Sequence, residues 1–558
     1  MLMKFFLNLF GVMILFPCFA QKKYDRILNS IDSNQSQYEN VAQEIWSYAE
    51  VGYQEEKSSK LLQKTLSDQG FSIESGVADI PTAFVATYGS GSPVIAILGE
   101  YDALPGLSQQ AVPFKISNNK NAGHACGHHL FGTASAAAAI AVKNHIKNEK
   151  IKGTVKYFGC PAEEGGSGKV YMTRAGLFNN VDIALHWHAS NKNSAGASMA
   201  LANKTAKFRF YGVSAHASGS PEKGRSALDG VEAMNNMVNM LREHTTESTR
   251  IHYVITKGGN APNVVPDFAE VYYYARHPNR DEVTNIFNRI VDAAKGAAIG
   301  TGTKMDYEII SGVHELLHNE ILQRQVHKNL VKIGGYLYDE EEKIFAEKIS
   351  KTLGIDLDTK YVQGVEPYNP VGKAGGSTDV GDVSFAVPTA GLNTATWVPG
   401  TSAHSWQAVA AGGTSIGTKG MIIAAKTLAL TGMQLLDDPT TIEAAKKEFI
   451  NRNEVILKKL GRINNILDDD LEKPAATMVV SGDLFKIYFD KDVDLKLIKE
   501  NLTNKQSRLE QEMNKISQRL ENKSFVDRAP KEIVEQEKTN YNNLKNDIEK
   551  ISVTIKGI

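Results

Sequence analysis

Residues 123–160 read GHACGHHLFGTASAAAAIAVKNHIKNEKIKGTVKYFGC. The run Gly132 to Ile146, rich in Ala, predicts a tightly packed helix, and Thr154 to Phe158 beyond it predicts a buried strand. Val94 to Leu98 predicts a further buried strand upstream. Strands and helices alternate in this way from about Tyr24 to Leu201, which argues an α/β layer on a mainly parallel sheet. From about Asn203 to Gly312 the character changes: strand-like Lys207 to Tyr211, a helix over Ala227 to Arg242, strands at His252 to Ile255 and Glu270 to Ala275, and a helix over Asp281 to Ala298. That β-α-β-β-α-β order predicts an inserted α+β domain of ferredoxin-like type, after which the α/β pattern resumes to about Lys446.

The tail differs again. Leu502, Leu509, Met513, Ile516 and Leu520 form one heptad stripe, and Tyr541, Leu544, Ile548, Ile551 and Ile555 form another. Pro530 separates them, with Ser524 to Ala529 as a turn, so an antiparallel helical hairpin is expected rather than one long helix. The expected organisation is a signal peptide over 1–20, a catalytic domain over 21–203 and 313–446, an inserted domain over 204–312 and a coiled-coil arm over 447–558.

The chain of 558 residues is 42% hydrophobic, enough for a large core. Its net charge of -1 removes any global electrostatic case for nucleic acid or an anionic membrane. Three cysteines make no disulfide framework, and one of them, Cys18, lies in MLMKFFLNLFGVMILFPCFA. There Lys4, the apolar stretch Phe5 to Phe16 and the small residues Cys18 and Ala20 match a secretion signal cleaved after Ala20. An exported mature chain, periplasmic or extracellular and without a membrane span, is expected.

Three segments concentrate chemistry. His124, Cys126, His128 and His129 lie within six residues, and Cys126 with His128, two apart, offers thiolate and imidazole to a metal such as Zn²⁺. Glu163 and Glu164 follow the strand Thr154 to Phe158; at a strand's carboxyl end one carboxylate can bind a metal while its neighbour stays free as a base. Cys160, just before them, reads as a small buried residue. His186 and His188 alternate around Trp187, which puts both imidazoles on one face of a strand. His404 stands in a loop of small residues, and Glu100 and Asp102 directly follow the strand Val94 to Leu98, where an acid can orient a ligand imidazole.

Together GEYDALPGLSQ, GHACGHHLFGTAS, CPAEEGGSGKVYMTRAGLF, GSTDVGDVS and GTSAHSWQ resemble the co-catalytic metallopeptidase and amidohydrolase family of carboxypeptidase G, aminoacylase and the indole-acetyl-amino-acid hydrolases, most closely its aminobenzoyl-glutamate branch. The resemblance spans roughly Tyr24 to Lys446. It implies two divalent ions per chain, Zn²⁺ first and Mn²⁺ as the alternative, held by Cys126, His128, Glu164, His188 and His404. Glu163 would be the general base, and Asp102 would support the catalytic centre from beside a ligand. His186 leaves the choice of ligand on that strand open, and His129, where the family usually has Asn or Asp, would alter metal choice or the substrate pocket.

Ser214 to Ala217 and Asn260 to Pro266 are similar to the family's lid and dimerisation domain, which implies a homodimer. His216 would there reach the partner's active site and polarise the scissile carbonyl, with Asn263 and Arg276 as substrate contacts; from sequence alone Arg276 reads first as a surface salt bridge. The tail segment NKSFVDRAPKEIVEQEK resembles the C-terminal arm of valyl-tRNA synthetase, from as early as Val455. The implied activity is metal-dependent cleavage of the amide bond in N-acyl amino acids, aminobenzoyl-glutamate-like conjugates or dipeptides. The rival readings are an inactive metal-containing binding scaffold and tRNA binding through the arm; nucleic acid is not expected as a partner of an exported chain.

Overall fold

Five strands of the first sheet precede the insert: β1 (Ser72–Ser75), β2 (Phe84–Ser90), β3 (Val94–Glu100), β4 (Gly153–Cys160) and β5 (Ile183–Ser190). The insert contributes β6 (Ala202–Tyr211), β7 (Arg250–Lys257), β8 (Phe268–His277) and β9 (Lys304–Val313), and β10 (Thr389–Ala395) returns to the first sheet. The computed structural model describes residues 24–116, 121–197, 200–372, 375–454, 476–480, 483–487, 495–522, 525 and 529–557. The expected signal peptide over 1–20 lies outside them.

The first sheet runs β1-β2-β4-β3-β5-β10. From β4 to β10 the neighbours are parallel, while β2 is antiparallel to both β1 and β4. Parallel strands buried on both faces need continuous apolar runs, and Ile95 to Leu98 supply one without exposed atoms. Helix α1 (His128–Glu149) covers this sheet and packs on the later helix over Ser415–Asp437. Ala134, Ala136 to Ala139 and Ala141 are all buried at that packing, because small side chains let helix and sheet approach closely. The helix starts four residues before the sequence expectation, directly at His128, since Gly127 takes φ 78° and turns the chain into it. A Cβ at Gly127 would also stand 2.5 Å from Cβ of Ala189 on β5.

The insert has the expected β-α-β-β-α-β order, with strands arranged β9-β6-β8-β7. Helix α2 (Gly168–Arg174) precedes it, and its own helices are α3 (Ala227–Arg242) and α4 (Arg280–Thr301). They bury Val231, Met234, Phe287 and Ile290 against Phe208, Phe210, Val271 and Tyr273 of the sheet, a core of the insert's own. Edge strand β7 leaves Val254 and Ile255 exposed.

Residues 24–454 form one compact unit and the chain beyond forms a second. In the second, α5 (Leu495–Glu521) and α6 (Lys531–Gly557) pack together, burying Ile516 and Val534 and joining Arg519 to Glu537 at 3.1 Å. Arg519, near the end of α5, pairs with Glu537, near the start of α6, so the helices run antiparallel, as expected. The expected turn over Ser524 to Ala529 is described only at 525 and 529, and Val455 lies outside the described residues. A strand pair, β11 (Ala476–Val480) with β12 (Asp483–Ile487), also stands in this unit, where only helices were expected. Among the described residues no helix is long and apolar enough to cross a membrane.

Candidate metal centre

The donors gather at the carboxyl ends of the parallel strands, where α/β sheets place their sites. Gly127 turns the chain between Cys126 and His128, so thiol and imidazole face one point from a loop and from the first turn of α1. Cys126 Sγ lies 3.5 Å from His188 Nε2 on β5 and 3.4 Å from His404 Nε2. His404 sits at φ 60° and donates its backbone N–H to the Ala125 carbonyl, which ties its loop to the cysteine segment. Its Nε2 is 3.3 Å from Glu164 Oε1. His128 Nδ1 is 2.8 Å from Asp102 Oδ1, and its Nε2 faces Glu100 Oε2 at 3.1 Å and Glu163 Oε2 at 4.0 Å.

Three donor groups result among the described residues: Cys126, His128 and His188; Cys126, Glu164 and His404; and, more widely spaced at Glu163, Glu100, His128 and Glu163. Two ligands on one ion, each bound at about 2.0–2.3 Å, lie about 2.9–3.6 Å apart for angles between square and tetrahedral. The Cys126, His188, His404 and Glu164 spacings fall within that window, so the residues fit a pair of ions sharing the thiolate. Glu163, 4.0 Å from His128, stands outside it and is free for another task.

The two adjacent carboxyls have opposite environments. Burial together with the charges of Glu100 and Glu164 pushes Glu163 well up. For Glu164 burial acts the same way, but the hydrogen bond with His404 and the His128 imidazole outweigh it and bring the group down to about 2. A carboxyl that holds a proton readily beside one that stays ionised is the division a base and a ligand require. Burial and the Glu164 charge push the Cys126 thiol up. Burial disfavours a charged His128, yet Asp102, Cys126 and Glu100 pull it well above the usual imidazole range, so positive charge is favoured at that point.

His188, not His186, reaches the cluster. Both lie on one face of β5 as expected, but His186 packs on Gly391 of β10, where a Cβ would meet its Nε2 at 2.4 Å. His129 is fully buried, and its Nε2 donates to the Gly412 carbonyl at 3.0 Å; it anchors α1 and belongs to none of the three donor groups, which corrects the expectation for it. His124 likewise donates to the Ile45 carbonyl. Cys160 is buried, its thiol against the Phe158 carbonyl and pushed up to about 12 by burial.

His216 and Asn263 are exposed in the insert, and within this chain the described contacts do not bring either to the cluster. Arg276 is half-buried with its guanidinium 5.2 Å from the Tyr274 ring centre and makes no ion pair among the described residues, which corrects the surface salt bridge. Alternation along β8 puts it beside Tyr274, on the face opposite the insert's own core.

Three further features had no individual role in the sequence reading. Lys169, at the start of α2, is fully buried with Nζ 2.6 Å from both Glu100 Oε1 and Asp379 Oδ1, and its backbone N–H also donates to Asp379. Glu55 accepts the Ala162 N–H and so holds the start of the Glu163–Glu164 loop. Beside Glu164 a cavity of about 350 Å³ opens, lined by Val51, Tyr53, Pro105, Tyr171 and, from the insert, Ile310.

Thiolate, imidazole and carboxylate donors converging at the mouth of such a sheet, with one carboxylate to spare, define a metal-dependent hydrolase. The chain belongs to the M20 family of peptidases and amidohydrolases. It is 39% identical over 457 residues to a component of the p-aminobenzoyl-glutamate hydrolase of Escherichia coli (strain K12), covering 77% of this chain and 95% of that protein. Residues 202–301 match the peptidase dimerisation domain. The solved aminobenzoyl-glutamate utilization protein of Klebsiella pneumoniae shares the fold, with a TM-score of 0.52 at 17% identity over 74% of this chain and 98% of that one. Residues 494–558 match the valyl tRNA synthetase tRNA binding arm. That likeness includes 67% identity over 118 residues to the valine–tRNA ligase of Pelagibacter ubique (strain HTCC1062), 21% of this chain and only 14% of that protein.

Proposed function

We propose that this protein is an exported, dinuclear metal-dependent amidohydrolase that cleaves the amide bond between an acyl group and an amino acid, in aminobenzoyl-glutamate-like conjugates, N-acyl amino acids or dipeptides. The observation that carries the reading is the pair Glu163 and Glu164: Glu164 lies 3.3 Å from His404, at ligand spacing, while Glu163 stands 4.0 Å from His128, beyond it.

Cys126, His128 and His188 would hold one ion, and Cys126, Glu164 and His404 the other, with Zn²⁺ favoured by the thiolate and Mn²⁺ as the alternative. When bound, such ions polarise the amide carbonyl and make water a nucleophile near neutral pH. Glu163, raised by its surroundings, takes the proton of the attacking water and returns it to the leaving amine. Asp102 keeps His128 turned toward the cluster through Nδ1.

His216 serves the reaction from a homodimer assembled through the insert. Its Nδ1 accepts backbone N–H groups of Ser218 and Gly219, at 3.3 and 3.1 Å, so the hydrogen of the neutral ring is on Nε2. The partner subunit's His216 would present that N–H to the carbonyl oxygen as charge develops. Asn263 and Arg276 are assigned to the substrate's polar end, and the cavity walled by Tyr53, Tyr171 and Ile310 to an apolar or aromatic acyl group. Export is supported by the N-terminal pattern, which would leave a mature chain beginning at Gln21.

The test is hydrolysis of p-aminobenzoyl-glutamate and a panel of N-acyl amino acids and dipeptides, with and without a chelator. Chelator-sensitive cleavage of at least one member is expected. Metal-loaded protein inert to the whole panel would replace this reading with that of a binding scaffold.

A further inference from the structure

Glu163 and Glu164 ride on a tight loop that a second segment grips at both ends. Gly166 donates its backbone N–H to the Ala162 carbonyl at 3.1 Å, which closes the loop over residues 162–166. At its start the fully buried Glu55 accepts the Ala162 N–H through Oε1 at 2.8 Å. At its end the Tyr53 hydroxyl donates to the Gly166 carbonyl at 2.6 Å. The gripping segment is itself held. Ala103 donates its N–H to the Glu50 carbonyl at 2.7 Å, and the Glu50 carboxylate accepts the N–H groups of Lys57 and Ser58 at 3.1 and 2.9 Å.

The loop needs holding because it is strained. Ala162 sits at φ 57°, a left-handed conformation that a residue with a Cβ keeps only where its surroundings over-determine it. Tyr53 sits at φ 64°, and a bulky residue there is an outlier of the same kind. Ala162 is also fully buried, and a Cβ on Gly166 or Gly52 would stand 2.6 or 3.0 Å from its own Cβ. Relaxation of Ala162 to negative φ would re-aim the chain that follows it, and both carboxylates with it. The second Glu55 oxygen accepts from the Thr82 hydroxyl at 3.1 Å, and Glu55 makes no ion pair among the described residues. Burying a carboxyl without a cation is unfavourable, yet this one stands where the strained peptide leads into the pair of carboxylates.

We propose that Glu55 and Tyr53 are positioning residues: they clamp the loop over residues 162–166 from both ends and hold Ala162 in its strained conformation. Glu164 then meets His404 while Glu163 stays back as the base. This rests on the hydrolase reading of the centre, whose base and ligand the clamp serves. Glu55 acts through the Ala162 peptide and touches no reacting atom. Tyr53 acts here through its hydroxyl, while its ring walls the cavity beside Glu164.

The test is a set of full-length variants read as kcat and KM at saturating Zn²⁺ and as Co²⁺ affinity by calorimetry, with the unfolding midpoint measured beside them. Glu55→Ala removes the acceptor and should lower kcat about 10- to 100-fold with KM nearly unchanged. It should also weaken one Co²⁺ equivalent, that of Glu164, by about 10-fold. Glu55→Gln keeps an oxygen for the Ala162 N–H and should bring kcat back to within about three-fold of wild type. In an Ala162→Gly background, where glycine takes positive φ without strain, Glu55→Ala should lower kcat by less than about five-fold. A role in stability alone would lower the midpoint and leave kcat per folded, loaded molecule unchanged. If Glu55→Ala does not fold, Tyr53→Phe decides: losing the hydroxyl while keeping the ring should lower kcat about 3- to 10-fold with KM nearly unchanged. Wild-type kcat and Co²⁺ affinity in the variant that folds would overturn the clamp. Wild-type protein that cleaves no amide would instead overturn the hydrolase reading, and the clamp would stand or fall on whether Glu55→Ala weakens the Co²⁺ equivalent of Glu164.

Discussion

Asp102 Oδ1 lies 2.8 Å from Nδ1 of His128, and both side chains are buried. The contact places the ring hydrogen on Nδ1 and leaves Nε2 to face Glu100 and Glu163. The other Asp102 oxygen accepts the Glu164 N–H at 2.9 Å, so one carboxylate sets the direction of one donor and the backbone position of another. Asn in its place has a single acceptor oxygen and would leave one of the two N–H groups unpaired. Asp102→Asn should lower metal affinity about 10- to 100-fold and activity with it, with little change in KM when ions are saturating. Calorimetric titration beside steady-state kinetics checks this.

Glu163 is the residue whose loss should separate binding from turnover. It stands outside the ligand spacing, so Glu163→Gln should keep both ions while losing the proton acceptor. The expected fall in kcat is about 10²- to 10⁴-fold. Metal analysis and kinetics on the same preparation test it, and near-normal turnover would remove Glu163 from the mechanism.

Gly127 is required twice over, by its φ of 78° and by the 2.5 Å that would separate an added Cβ from Ala189. Gly127→Ala should cost about 1–3 kcal/mol from backbone strain alone, with the contact on β5 adding to it. Because the same turn aims Cys126 and His128, metal content should fall together with thermal stability. A variant with normal stability and two bound ions would contradict this account of the turn.

His129 contributes to the pH dependence of stability. Burial lowers its imidazole to about 3, against about 6.5 in the unfolded chain. Between those values the unfolded state binds more protons, so the stability from the neutral folded ring is present above about pH 6.5 and is lost as pH falls toward 3. The slope is about 1.4 kcal/mol per pH unit. Urea unfolding of wild type and His129→Asn between pH 7 and 4 should show a shallower acid limb for the variant, whatever its absolute stability.

Much of the architecture is legible because it is periodic. The Ala-rich helix, the buried strands and the insert's element order all follow from local pattern, and the helix over Ala227 to Arg242 stands where the sequence places it. The donors were recognisable as residue types at the ends of strands, although Cys126 and His404, which meet at 3.4 Å, are 278 positions apart. Other features have no local signature. The turn at Gly127, which starts α1 at His128, depends on contact with β5. Lys169 lies among glycines in GGSGK, a setting that reads as solvated, and only tertiary packing buries it between Glu100 and Asp379. The direction of His129 depends on a carbonyl 283 positions away. Strands β11 and β12, of five residues each, are too short to stand out beside the heptad stripes that follow them.

The central claim is that hydrolysis depends on ions held by these donors. Its most direct test is to strip the purified protein with a chelator, return Zn²⁺ or Mn²⁺ stepwise, and follow bound ions together with cleavage of p-aminobenzoyl-glutamate or the best substrate of the panel. The rate should be lost on stripping, return as ions are added and level off at two equivalents per chain. Cleavage that persists in the metal-free protein, or two bound ions with no cleavage of any amide tested, would contradict it.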